Sequence, residues 1–155
     1  MTRRETLRGL PPPAVAMLAL LLLTAAAAAA AAPAPVTVDI GVVVASNQGS
    51  SVDPALSTLR PKLQSMFPYS SYKMLDRKRR TLAVGETGDF DLPGNRMMRV
   101  TPLPAPERKV RLAIQIMEGG RNLLTTTLAF PRGGMAPVVA NPYQSGVMIL
   151  LLSAE

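Results

Sequence analysis

Lys109-Val110-Arg111-Leu112-Ala113-Ile114-Gln115-Ile116 and, past the turn Glu118-Gly119-Gly120-Arg121-Asn122, Leu124-Thr125-Thr126-Thr127-Leu128-Ala129-Phe130 decide the fold class of this chain. Val110, Leu112, Ile114 and Ile116 alternate with Lys109, Arg111, Ala113 and Gln115, so an extended strand buries one face and wets the other. The same period of two places Leu124, Thr126, Leu128 and Phe130 inward and Thr125 and Thr127 outward, which predicts an antiparallel partner. Downstream, Pro131-Arg132-Gly133-Gly134 turns the chain. A short strand from Met135 to Ala140 follows, and Pro137 makes it an edge. Asn141 to Gly146 is expected to loop. The unbroken apolar run Val147-Met148-Ile149-Leu150-Leu151-Leu152 fits a central strand buried on both faces.

Upstream the alternation recurs. Val36, Val38, Ile40, Val42 and Val44 alternate with Thr37, Asp39, Gly41 and Val43. Ser71 to Arg77 and Arg79 to Val84 read as two strands or one bulged strand. Gly88-Asp89-Phe90-Asp91-Leu92 and Arg96 to Thr101 read as a hairpin closed at Pro93-Gly94, where proline then glycine suit a type II turn. One stretch breaks the pattern. Asp53 is placed to cap a helix, Pro54 suits its first position, and Leu56, Leu59, Leu63 and Met66 or Phe67 follow at helical spacing. Pro61 predicts a kink or two short helices. The expected class is α+β, mostly β: antiparallel sheets forming a sandwich-like domain with one N-terminal, kinked helix.

Residues 1–32 carry the marks of an export signal. Arg3, Arg4 and Arg8 give a basic start, Val15 to Leu23 an apolar centre, and the alanine run Ala25 to Ala32 many small-residue cleavage positions. The strongly apolar part is about ten residues, shorter than a membrane span. Residues 33–155 are then expected to form a single exported β-rich domain, periplasmic or associated with the outer membrane. Thr2-Arg3-Arg4-Glu5-Thr6-Leu7-Arg8 resembles a twin-arginine signal, with Thr6 where a large apolar residue is usual.

The chain holds seventeen lysines and arginines, ten acids and a net charge of +7. Removing Arg3, Arg4, Arg8 and Glu5 leaves fourteen bases against nine acids, a net +5 too dilute for a nucleic-acid binder. There is no cysteine and no histidine. That excludes disulfides, histidine-dependent nucleophile systems and the usual zinc ligand sets. No cofactor is expected, and the protein is not expected to be an enzyme.

The only concentration of charge is Lys73, Arg77, Lys78, Arg79 and Arg80. In a regular strand Lys73, Arg77 and Arg79 point to one side and Lys78 and Arg80 to the other, and Lys109 and Arg111 extend the stripe if their strand lies beside it. Such a stripe docks anionic phosphate groups, or simply keeps an edge strand from pairing with another molecule. Asp89 and Asp91 share a strand face as solvent-facing acids. In Phe67-Pro68-Tyr69-Ser70-Ser71-Tyr72, Phe67 and Tyr72 are expected in the core at a helix-to-strand junction.

With its junction Phe67-Pro68-Tyr69-Ser70-Ser71-Tyr72-Lys73-Met74-Leu75 and the region Asn122 to Leu152, the chain resembles small exported proteins of unassigned function in Gram-negative bacteria. Leu123 to Leu152 also resembles β-modules of secretin-type outer-membrane assemblies, with Ala140-Asn141 at the place of their glycine pair. The resemblance implies an envelope location and brings no activity. The expectation from the residues is a non-enzymatic binding or assembly module that docks a cell-envelope protein, with Met135 to Ala140 as an edge open to an added strand. The alternative is a peripheral binder of anionic lipid or lipopolysaccharide through the five bases.

Overall fold

Each alternating segment becomes a strand because its inward residues have an apolar cluster to join. A computed structural model describes residues 32–155; the expected export signal at 1–32 falls, but for its last residue, outside them. The strands are β1 (Val36–Ser46), β2 (Ser71–Leu82), β3 (Gly88–Leu92), β4 (Arg96–Leu103), β5 (Lys109–Glu118), β6 (Arg121–Pro131), β7 (Met135–Tyr143) and β8 (Gly146–Ala154). They make two four-stranded sheets of antiparallel pairs: sheet A in the order β2-β1-β8-β7 and sheet B in the order β3-β4-β5-β6. Among the described residues the architecture is mostly β, with two antiparallel sheets and one short helical region.

The main core takes side chains from both sheets. Val38, Ile40, Val42, Leu150 and Leu152 of sheet A join Met98, Val100, Leu112, Ile114 and Ile116 of sheet B in one buried cluster. The run at 147–152 is a central strand, as its composition requires: Met148, Leu150 and Leu152 face this cluster, while Ile149 and Leu151 face a second one on the opposite side of sheet A. Hydrophobic residues in succession are needed wherever both faces are covered.

The second cluster is capped by the helical region, which follows β1 and is not N-terminal. It consists of two pieces, a 3-10 helix at Pro54–Leu56 and α1 at Arg60–Met66. Asp53 accepts a hydrogen bond from Ala55 N at 2.9 Å, the expected cap. Pro61 lies in the first turn of α1, where its missing N–H costs no helical bond. Leu56 and Leu63 are buried against Val43, Ala45, Tyr72, Ile149 and Leu151. Tyr72 clamps the far end. Its side chain is 1% exposed, and its hydroxyl is shared between the carbonyl oxygens of Phe67 at 3.0 Å and Leu63 at 3.3 Å.

Two differences from the sequence expectation concern the ends of strands. β7 runs to Tyr143, through the segment expected to loop, because a register shift between Ala140 and Pro142 absorbs one residue. The turn into β8 is correspondingly tight, with Gln144 at φ 52°. β6 is an edge strand, so of its four inward residues only Phe130 is fully buried, and Leu124 and Leu128 are half-buried.

Candidate functional site

Ser71–Leu82 is one bulged strand at the edge of sheet A, and the bulge rearranges the basic cluster. Val42 pairs with Asp76 and Val43 with Met74, so Leu75 is the extra residue. Directly paired residues share a face. Lys73, opposite Val44, therefore lies on the core-facing side with Lys78 and Arg80, whereas Arg77 and Arg79, opposite Gly41 and Asp39, lie on the outer face. The expectation that Lys73 joins Arg77 and Arg79 is corrected, because an inserted residue flips every side chain on one flank. Lys109 and Arg111 do not extend the stripe either: β5 sits inside sheet B between β4 and β6.

Four of the five bases have intramolecular partners. Arg77 binds Asp39 through two nitrogens, Nε to Oδ1 and Nη2 to Oδ2, both at 2.9 Å. That hydrogen bond, and then the carboxylate charge, raises the Arg77 pKa above its ordinary value. Lys78 lies 3.5 Å from Asp76, and Arg79 lies 3.6 Å from Glu155. Arg80 stacks over Phe90 with its guanidinium carbon 5.4 Å from the ring centre, and it donates to the Asp89 carbonyl oxygen at 3.3 Å. It thus covers the seam where β2 approaches β3. Lys73 is exposed, and among the described residues no ion pair includes it.

The outer face of sheet A holds a groove. The helical region covers only part of this face, and beyond it the sheet continues through Asp39, Gly41, Arg77, Arg79 and Ser153. At the border a groove of about 210 Å³ opens, floored by Gly41, Met74 and Leu151, walled by Thr58 and Met135, and rimmed by Arg77. A smaller cavity of about 80 Å³ extends it past Arg79 to Glu155. Gly41 keeps the floor low. A Cβ there would lie 3.4 Å from the Met74 methyl and 3.7 Å from Leu151 Cβ.

Asp89 and Asp91 are exposed on one face of β3, and Asp89 is bound by Arg99 Nε at 2.9 Å. Among the described residues, no three of histidine, cysteine, aspartate or glutamate converge on a point that would hold a metal ion. Asp91 borders a larger open cleft of about 450 Å³ at the turn end of sheet B, together with Asn95, Met97, Met117 and Gly119-Gly120. The glycine pair is a two-residue hairpin turn with φ of 54° and 80°, as its place between two strands requires.

Sequence reasoning missed Arg96. It is the one buried charged residue among those described, 9% exposed, and it lines the same cleft. Its Nε meets Glu118 Oε1 at 2.9 Å, Nη2 donates to the Pro142 carbonyl oxygen at 3.1 Å, and Nη1 to that of Ala140 at 3.4 Å. A guanidinium from sheet B thereby holds β7 of sheet A. The signal was present: Arg96 is in phase with Met98 and Val100, so its side chain starts inward.

The expected strand-accepting edge, β7, does lie at the border of sheet A. Thr37 and Glu155 exchange backbone bonds, and Gly133 N donates to the Ala154 carbonyl oxygen. By alternation Ala136, Val138 and Ala140 spend their peptide groups on β8, and Met135, Pro137 and Val139 aim theirs outward. Pro137 therefore removes the central outward donor of this edge. No protein-family model matches the chain, and no curated protein matches it. Among the described residues, no helix is long and apolar enough to cross a membrane.

Proposed function

We propose that residues 33–155 form a sandwich-like, non-enzymatic binding or assembly module of the cell envelope, which docks an extended acidic segment of a protein partner in the groove on the outer face of sheet A. The groove itself carries this reading. Its apolar floor accepts side chains, and at its end Arg77 and Arg79 keep 68% and 59% of their side chains exposed despite their internal ion pairs. A carboxylate arriving there meets the Arg77 guanidinium, already held by its two hydrogen bonds to Asp39, with that of Arg79 beside it, which lowers the entropy lost on binding. The basic start and apolar centre within residues 1–32 support an exported location.

The lipid alternative has less support. A membrane is a plane, and β2 divides the bases between two faces of the sheet, Arg77 and Arg79 on the outer one and Lys73, Lys78 and Arg80 on the other. Two tests separate the readings. A photo-crosslinker at Thr58, on the groove wall, is expected to capture one envelope protein reproducibly, and capture should fall in Gly41→Val and in Arg79→Glu, each assayed at a temperature where melts show its fold intact. Capture that survives both substitutions counts against the groove. Salt-sensitive binding to vesicles containing phosphatidylglycerol, abolished by Arg77→Glu and Arg79→Glu, would move the assignment to anionic lipid.

A further inference from the structure

Three of the four sheet edges resist pairing with another strand, and each does so differently. β2 presents five bases, and its first residues are already covered by the segment Ser51–Asp53, through Tyr72 N to Ser51 O and Asp53 N to Tyr72 O, both 2.9 Å. β3 is five residues long and carries Asp89 and Asp91. β7 has Pro137 at an outward position. Charge, brevity and proline are the common devices against edge-to-edge association. β6 bulges at Leu123, opposite the step from Ile116 to Met117, but beyond it Leu124-Thr125-Thr126-Thr127-Leu128-Ala129 pairs regularly and holds no charge and no proline.

The direction of its peptide groups follows from the neighbouring ladder. Gly85 N donates to the Pro102 carbonyl oxygen, so Pro102 and its alternates in β4 face β3, and the intervening residues face β5. Ile114 and Leu112 of β5 then face β6, where they pair with Thr126 and Leu128. Thr125, Thr127 and Ala129 are left with N–H and C=O aimed away from the sheet.

We propose that β6 pairs antiparallel with β6 of a second copy of this chain, about a two-fold axis at Thr126, joining two B sheets into one. Leu124-Thr125-Thr126-Thr127-Leu128 reads the same in both directions, so this register sets each residue against its chemical like. Thr125 meets the partner's Thr127 at a hydrogen-bonded position, where a pair exchanges two N–H to O bonds. On the inner face Leu124 meets the partner's Leu128. Both leucines are half-buried at the edge and would lose their remaining water. Threonine pairs and leucine pairs across strands are mutually favourable, and a two-fold interface demands such self-complementarity. The inference stands apart from the groove, which lies on the other sheet.

Sedimentation equilibrium of the protein, purified as the cell processes it, reads the association. The wild type should reach twice the monomer mass as concentration rises. Thr125→Lys with Thr127→Lys sets lysine against lysine at both outer pairs and should weaken dimerisation at least tenfold. Thr125→Lys with Thr127→Glu sets lysine against glutamate and should bring it back to within a few-fold of wild type. Both positions are exposed, and circular dichroism melts confirm that the fold survives. A wild type that stays monomeric overturns the proposal, as does a lysine pair that dimerises normally. So does a lysine–glutamate variant that stays monomeric, since it denies the register at Thr126. Loss of dimer on Val139→Lys alone would place the contact on β7 and likewise overturn it.

Discussion

Replacing Arg96 by methionine tests whether one guanidinium holds the two sheets together at their turn end. Methionine keeps most of the volume, so the loss is chiefly polar. Two contributions are involved, and the structure ranks them. Glu118 keeps 33% of its side chain exposed, so the Arg96–Glu118 pair is screened and contributes about 0.5–1 kcal/mol. The carbonyl oxygens of Ala140 and Pro142 belong to β7, and the one at 3.1 Å receives a charged donor worth about 1.5–3 kcal/mol, while the 3.4 Å contact adds less. Arg96→Met should therefore cost about 2–3 kcal/mol and Glu118→Gln only about 0.5–1 kcal/mol. In urea unfolding, with a slope of about 1–3 kcal/mol per molar, the first substitution lowers the midpoint by about 1 M. Arg96→Lys should fall close to methionine, because a single ammonium does not reach three acceptors in a planar fork. Equal costs for Arg96→Met and Glu118→Gln would refute the reasoning, since the ion pair and not the bridge to β7 would then be the source of stability.

Other outcomes follow from single contacts. Gly146→Ala should cost about 3 kcal/mol in thermal melts, because the new Cβ runs into the backbone carbonyl oxygen of Ala45 and neither strand can yield; Gly41→Ala meets only the movable Met74 methyl and should cost under about 1 kcal/mol. A small penalty at Gly146 would contradict the close approach of β1 and the β7–β8 turn. Tyr72→Phe should cost about 1 kcal/mol at neutral pH, for the hydroxyl shared by two carbonyls. Burial raises the Tyr72 pKa above 10.0, so the unfolded chain releases this proton first. Its contribution is complete below pH 10.0 and is lost as pH rises above it, by up to about 1.4 kcal/mol per pH unit, a slope that Tyr72→Phe should lack. Parallel stability curves for the two proteins above pH 10.0 would argue against a buried phenol.

Strands and their inward faces were legible because burial writes a period of two directly into the residue order, as at Val110 to Ile116 and Leu124 to Phe130. The central place of β8 was legible for the complementary reason, that a strand covered on both sides cannot afford a polar alternate. What could not be read was the register across strands. A bulge in Ser71–Leu82 was one of two readings, but its place was not legible: the break was set at Lys78 and lies at Leu75, so the sidedness of Lys73 was misjudged. Arg96 was read only as the start of a return strand, although its phase with Met98 and Val100 pointed in. The groove was illegible from any one segment: Gly41, Thr58, Met74, Met135 and Leu151 come from five separate stretches of chain.

The distribution of bases on β2 bears on how the molecule keeps its faces distinct. Five bases on one edge need not mean a ligand, and the partners show what four of them do at home. Arg80 covers Phe90 and the seam toward β3, Lys78 answers Asp76, Arg79 reaches Glu155, and Arg77 binds Asp39. These contacts lie at the surface and contribute little stability, with a median near 0–1 kcal/mol for exposed pairs. Their consequence is positional. They fix a cationic border along β2 that repels a second copy from that edge, while Leu123 to Ala129 of β6 on the other sheet stays uncharged. The proposed occupants are then sorted by charge: an acidic segment is drawn to the groove beside Arg77 and Arg79, and an uncharged strand to β6. Reversing Arg79 should weaken the first contact and leave the second untouched, so a variant that lost both together would show that the two surfaces are one.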